Sequence, residues 1–537
     1  LGGLIADRAG APAALAMRVT DGAGPARDHL TRADRAVVLR AAAPGAFAMM
    51  RLIAAALLLT TAAAAAQTKD TLSLGMVLEP PGLDPTAGAA AAIREVTYQN
   101  IFEGLTRIDS KGEVQPDLAE SWTISPDGLV YSFRLIAGVK FHDGKPFDCS
   151  VVKFSYERAM APNSTNAQKG LFEPIAKVDC TDPATAVITL KHPSAQFLFD
   201  MGWGDAVMVH PDSAAGNKTH PIGTGPYKFK EWVPGDHVTL ARNPDYWGSQ
   251  PKLSQVTFRF IADPAAATAA MLSGDLDAFP NFPAPEALDT LKADARFTVK
   301  VGTTEGKTIL ALNNGRKPFD DVRVRRALTQ AIDRHALIEA IENGYGEPIG
   351  SHYVPTDPGY VDLTGVYPYD VEAAKALLAA AGVQPGMTLT IKLPPPPYAR
   401  KGGEVIAAML AQVGITVKLV PIEWAQWIDE VFLKGDFDAT IISHTEPRDL
   451  DIYARDKYYF NYHSPEYKAL YNSYLTALDP AKQLDLLGKL QRKLTEDEPN
   501  VFLFALPKIG VWNAKLKGMW DNSPIPANDL SRVSWGD

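Results

Sequence analysis

The sequence predicts a mixed α/β protein, on three observations. Strand-like and helical segments alternate along most of the chain. The 41 Gly and 41 Pro of its 537 residues punctuate it evenly, without internal repeats. Residues 388–393, 404–412 and 415–420 read as strand, helix and strand, the unit that crosses over in a parallel sheet.

Taken in order, 71–78 reads as a first strand, ended by Glu79-Pro80-Pro81-Gly82. Residues 89–104 read as a helix that buries Ile93, Val96, Tyr98, Ile101 and Phe102. In 129–135, Leu129, Tyr131, Phe133 and Leu135 alternate with polar or smaller residues, the period of a half-buried strand. Ser125-Pro126-Asp127-Gly128 before it is a turn, because Pro presets φ and Gly accepts positive φ. Ser150 is the expected N-cap of a helix over 151–160, and 184–190 is a strand. Helices follow over 265–273, after Asp320 as cap, and over 371–381 with Asp370 as cap and Gly382 just past its end. Pro394 to Pro397 make a stiff connection at the carboxyl end of a strand, where open α/β sheets face their ligand crevice. Residues 436–443 are a further strand.

Composition narrows the class. The chain has 53 basic and 62 acidic residues, a net charge of −9. That balance disfavours nucleic acid and anionic membranes as partners. Met49-Met50-Arg51, the apolar run 52–66 and an Ala-x-Ala site before Gln67 read as a cleavable signal peptide, too short to span a bilayer. Residues 1–48 then read as an upstream translation artefact. With no Cys at the cleavage site, the exported chain is expected to be periplasmic and not a lipoprotein. Cys149 and Cys180 are either bridged or two buried thiols, and two cysteines so spaced make no zinc site.

The block 116–147, PDLAESWTISPDGLVYSFRLIAGVKFHDGKPF, resembles the signature of the family 5 extracellular solute-binding proteins. These are the receptors that carry peptides, nickel or other solutes to ABC importers. The resemblance extends over 70–537, through Ile222-Gly223-Thr224-Gly225-Pro226-Tyr227, Arg242-Asn243-Pro244-Asp245-Tyr246-Trp247, Leu312-Asn313-Asn314 and the 318–328 run. Ile136 and Ala137 depart from the usual basic residues. The resemblance implies a two-lobed periplasmic binding protein fold of the large class, with mixed sheets flanked by helices and a ligand cleft between lobes. Lobe I would comprise 70–110, 222–318 and 503–537, an inserted domain 111–221, and lobe II 319–502.

Most signature residues read as structural: Trp122, Tyr131, Phe133 and Phe141 as core, and Gly223 and Gly225 as a close chain crossing. Arg323, Arg325 and Arg326 read as a solvated face or as partners of Asp320 and Asp321. By resemblance, Trp424 stands where oligopeptide-binding relatives place an aromatic pocket wall, with Trp427 a second candidate or core. The loop His444-Thr445-Glu446-Pro447-Arg448-Asp449 stands where relatives supply an aspartate for the ligand's α-amine. Pro447 takes that position here, so Glu446 or Asp449 is left to supply a carboxylate. Arg448 suits a ligand carboxylate, since its planar fork binds carboxylates bidentately. On the facing lobe, Glu79 and Gly88 match positions that hold the ligand backbone.

The expected role is therefore capture of a short peptide or peptide-like solute for ABC permease subunits in the inner membrane. The protein would act as a monomer, without cofactor, metal or catalytic residue. A metal chelate or an opine-like conjugate is the rival ligand, with His352, His444 and His463 as rival ligating residues. A secreted hydrolase is disfavoured, since the chain has no Gly-x-Ser-x-Gly, His-Glu-x-x-His or P-loop motif.

Overall fold

The structure, a computed structural model, describes residues 69–536. The expected signal peptide and upstream segment lie outside them. An 11-stranded mixed sheet is the frame. From one edge its strands are Thr416–Pro421, Thr388–Leu393, Ala439–His444, Phe297–Leu312 and Asn500–Asn513. Ala278–Phe279, Thr71–Met76, Gln255–Phe260, His237–Arg242 and Tyr227–Val233 continue it, and Glu347–Pro348 adds to the Asn500–Asn513 strand.

Phe297–Leu312 and Asn500–Asn513 are the longest strands and run antiparallel through both halves of the sheet. One end of this ribbon borders Ala278–Phe279 and the other Ala439–His444. Its pairing is interrupted between Thr303 and Lys307, where the register shifts. Such interruptions bend a strand pair, and here the bend falls between the two halves.

Beyond the ribbon, Thr388–Leu393 and Thr416–Pro421 pair in parallel, Thr388 opposite Thr416, through a crossover helix. That helix is Pro397–Ala411, longer than the sequence suggests. Pro397 opens it rather than ending the connection, because the first helical turn needs no N–H from Pro. Leu389, Ile391, Leu393, Ile406 and Leu410 close the core beneath.

A separate four-stranded antiparallel sheet holds the signature block, in the order Ala119–Ile124, Val130–Leu135, Thr185–Leu190, Ile175–Asp182. Tyr131, Phe133 and Leu135 point into its core as the alternation requires, while Trp122 is half-buried at 6.2 Å from Phe133. Helix Cys149–Met160 packs on this sheet, and Cys149 and Cys180 are joined by a disulfide of S–S 2.06 Å.

Several local expectations change. The helix expected over 89–104 is only Ala91–Thr97, after which Tyr98 is extended and Gln99 has φ 57°. Asn100 ends it by binding Val96 O and Asn528 O with its amide, which fixes an extended crossing instead of further turns. Gly223 and Gly225 pass over that crossing: a Cβ on Gly223 would lie 1.9 Å from Ile101 O. Asp148, not Ser150, caps the 149–160 helix by accepting from Ser150 N at 2.8 Å. Asp321, not Asp320, caps Val322–Ala331 by accepting from Arg323 N. Asp370 caps its helix as expected, and Gly382 follows with φ 77°. The strand expected over 436–443 begins at Ala439 and runs to His444. Of the three arginines, Arg323 pairs with Asp321, but Arg325 donates to the carbonyls of Phe319, Asp497 and Glu498. Arg326 donates to Glu496 O, so two of them satisfy the carbonyls of a helix end.

The chain's last described residues return to its first strand. Trp535 Nε1 donates to Thr71 O at 2.9 Å, and Leu530 N donates to Asn100 Oδ1 at 3.1 Å.

Candidate functional site

The ribbon and strand Ala439–His444 bring buried charges together where the sheet bends. Lys307, only 1% exposed in its side chain, extends its ammonium to Asp449 Oδ1 at 2.7 Å and donates to Glu446 O. Asp449 sits on the loop that leaves the Ala439–His444 strand. His352 Nε2 meets the same Asp449 oxygen at 3.0 Å, and Tyr453 OH meets His352 Nδ1 at 3.0 Å. Asn500 Nδ2 in turn donates to Tyr453 OH. His444 Nε2 meets Tyr459 OH at 3.0 Å, and its Nδ1 is 3.4 Å from Asp449 Oδ2 without the alignment of a hydrogen bond. Asp449 Oδ2 is therefore buried without a hydrogen-bond partner.

The electrostatics follow from this packing. Burial alone would raise the Asp449 carboxyl, but His352 and Lys307 hold it well below the usual carboxylate range. Burial would lower the Lys307 ammonium, and Asp449 and Asp357 more than offset it, so the ammonium stays charged. Burial pushes the His352 imidazole down to about 4 in spite of Asp449, so the ring is neutral near pH 7.

The other expected residues take distinct places. Arg448 has φ 56°, stacks its guanidinium 3.7 Å from the Phe199 ring centroid and donates to Gly112 O at 2.7 Å. It thus ties the loop to the turn between the short strands Thr106–Ile108 and Val114–Pro116 and to Phe199, and its Nε remains buried and unpartnered. Gln196 Nε2 donates to Arg448 O. Thr445 and Glu446 are exposed. Trp424 is 42% exposed and meets Trp427 edge-on at 5.9 Å. Trp427 is core and donates from Nε1 to Thr440 Oγ1 at 3.0 Å. Glu79 accepts from Trp232 Nε1 at 2.9 Å and Gly235 N at 3.1 Å while lining a cavity of about 330 Å³ at the end of Thr71–Met76. Glu95, Asn281 and Asn528 line the same cavity. Gly88 packs close to Ile93, where a Cβ would lie 2.5 Å from Cδ1.

His352, His444 and Asp449 present donor atoms within 4.8 Å of one another. A divalent ion there would compete with the Lys307 ammonium for the same carboxylate. His463 is exposed and stands outside that cluster. Sequence reasoning missed Lys307, Glu305 and Glu95. The one signal for Lys307 was a Glu-Gly-Lys triplet opening an otherwise apolar strand, 308–312.

Among the described residues, no helix is long and apolar enough to cross a membrane. The sequence model of the bacterial extracellular solute-binding proteins, family 5 (middle part), matches residues 113–465. The glutathione-binding protein GsiB of Salmonella typhimurium is 31% identical over 366 residues, 67% of this chain and 71% of that one. The GsiB of Pectobacterium atrosepticum is 32% identical over 360 residues, 66% and 69% of the two chains. Among solved structures, the periplasmic binding protein DppA of Helicobacter pylori with the peptide STSA is 25% identical, at TM-score 0.72 over 88% of this chain and 99% of that one. The binding protein AgaA of A. tumefaciens R10 with agropinic acid is 26% identical, at TM-score 0.72 over 87% and 99%. The shared architecture is the two-lobed one of periplasmic binding proteins. The chain belongs to the bacterial extracellular solute-binding proteins, family 5.

Proposed function

We propose that the protein is the periplasmic receptor of an ABC importer and captures a short peptide or peptide-like solute between its lobes. The observation that carries this reading is the mixed-charge cluster of Lys307, Asp449, His352 and His444 at the bend, beside hydroxyls without partners. Buried polar atoms normally find partners, and a zwitterionic ligand closing the cleft would supply them. The similarity to glutathione- and peptide-binding relatives supports the same ligand class.

Lobe I is assigned to 70–110, 222–318 and 503–537, the inserted domain to 111–221 and lobe II to 319–502. Trp424, Thr445, Glu446 and Arg448 are assigned to the lobe II wall, with Asp449 and His444 behind them. Glu79 and Gly88 are assigned to the lobe I side. Export by a cleaved signal peptide, a monomeric state and delivery to permease subunits complete the reading. Binding shifts an open–closed equilibrium through differential affinity and needs no catalysis.

A metal chelate is the second reading, favoured by the three donor groups within 4.8 Å of one another. A thermal-shift screen separates the two, using dipeptides, tripeptides, glutathione, opines and nickel–histidine chelates. A ligand at 100 times its Kd adds about 2.7 kcal/mol. Stabilisation by peptides or glutathione supports the first reading. Stabilisation only by chelates supports the second, and no response to any solute sinks both.

A further inference from the structure

The carboxylate best placed to meet a ligand's positive charge is not on the expected loop. Asp449 is already neutralised from within by Lys307 at 2.7 Å, and His352 adds a hydrogen bond at 3.0 Å. Glu305 is different. It lies on the ribbon strand two residues from Lys307, inside the register interruption, and is 7% exposed. Its Oε2 has no hydrogen-bond partner among the described residues. The Thr303 hydroxyl, two residues before it, is also buried and unpartnered.

Two more carboxyls act on Glu305 electrostatically from other elements. Asp357 comes from the segment after Glu347–Pro348, and Glu95 comes from helix Ala91–Thr97 and lines the lobe I cavity. Burial, then Glu95 and Asp357, push the Glu305 carboxyl up to about 8 against the pull of Lys307. The nearby cations are committed elsewhere. Lys307 is held by Asp449, and Lys508 Nζ donates to Pro280 O at 3.1 Å and Trp520 O at 2.8 Å. Ser351, Tyr353 and Thr356, from the segment that carries Asp357, add three more buried side-chain oxygens without partners. At about 8 the carboxyl is mostly protonated near pH 7, and a cation donating several hydrogen bonds is the partner that would bring it to the carboxylate.

We propose that Glu305, buried on the ribbon beside the unpartnered Thr303 hydroxyl, is a subsite for a cationic group of the ligand, an ammonium or a guanidinium, delivered to the joint between the lobes. The proposal rests on the reading that the cleft binds a peptide-like solute. It assigns the ligand's positive charge to the ribbon instead of to the Asp449 loop. It also couples recognition to closure, because Glu305, Asp357 and Glu95 sit on the joint and on both sides of it.

The test uses the full chain and a thermal-shift panel of dipeptides, tripeptides and glutathione. Each is paired with an analogue lacking one cation: N-acetyl for the α-amine, norleucine for Lys, citrulline for Arg. Affinities of the stabilising pairs are then measured by calorimetry for wild type, Glu305→Gln and Asp449→Asn. The expected result is a loss of about 30-fold or more on neutralising one ligand cation. Glu305→Gln should produce a similar loss, with little further loss when both changes are combined. Asp449→Asn should not abolish this discrimination. The wild-type comparison needs no variant, so it stands even if Glu305→Gln folds poorly, and Asp357→Asn then serves as the second variant with a smaller loss. A peptide that binds as tightly without its cations, or unchanged by Glu305→Gln, overturns the subsite while leaving the receptor reading intact. A panel in which no peptide binds overturns both.

Discussion

Lys307 and Asp449 form a salt bridge of 2.7 Å with side chains 1% and 8% exposed, linking the Phe297–Leu312 strand to the loop that follows Ala439–His444. The bond anchors that loop and answers a buried carboxylate that would otherwise stand bare. Breaking a buried pair from one side leaves an uncompensated charge, at about 3–5 kcal/mol. Lys307→Met should therefore destabilise the protein by that order, read as a lower urea midpoint. Lys307→Met with Asp449→Asn should recover at least half. A single variant as stable as wild type would show that the pair carries no such strain on removal.

His352 gives a pH signature. It is surrounded by Asp449, Tyr453, His444 and Lys307, and burial depresses its imidazole to about 4. The unfolded chain takes up this proton near pH 6.5. Between about pH 6.5 and 4 the unfolded state binds more protons at this residue, so its contribution to stability falls as pH falls through that window. Histidine-labelled NMR should show the His352 ring neutral at pH 5.5. A ring that titrates above pH 6 would contradict the buried geometry.

Arg448 and Phe199 make a testable latch. The guanidinium lies 3.7 Å from the ring centroid and donates to Gly112 O. Such a stack is worth about 0.5–2 kcal/mol. Arg448→Ala or Phe199→Ala should shift the lobes towards a more open distribution, read as a larger radius of gyration in small-angle scattering. Lys at 448 should restore little, since an ammonium neither stacks flat nor reproduces the planar fork. An unchanged scattering curve for both alanine variants would remove the latch.

The Cys149–Cys180 bridge spans a sequence separation of 31. A loop of that length predicts about 3–4 kcal/mol of stabilisation in the chain-entropy model. Replacing both residues by Ser should lower the unfolding midpoint of the 111–221 region, followed by hydrogen exchange. The ribbon's amides should be far less affected.

Regular elements were legible because their causes are local. The alternation at 129–135, the Asp370 cap and the 388–421 crossover all read directly from residue spacing. The failures have local reasons too. Helix Ala91–Thr97 stops early because the Asn100 amide is bound by Asn528, more than 400 residues away, and no window of sequence reports that contact. The site was legible only as a loop. His444 and Asp449 were singled out, but Asp449 is answered by Lys307 and His352 from distant elements, and Glu305 is notable only for lacking a partner. Charge pairing is a tertiary property; spacing does not encode it. The resemblance located the loop, while the contacts changed what Arg448 does there.

The return of the last described residues to Thr71 also sets a timetable for the chain. Strand Thr71–Met76 is made early, yet one neighbouring strand, Ala278–Phe279, pairs onward with Asn500–Asn513. The Asn100 crossing likewise waits for Asn528 and Leu530. Contacts of such separation form late and slow folding. The segment 71–100 must therefore stay unfinished until nearly the whole polypeptide has been synthesised, leaving a long interval in which the chain is still pliable and open to handling by other factors.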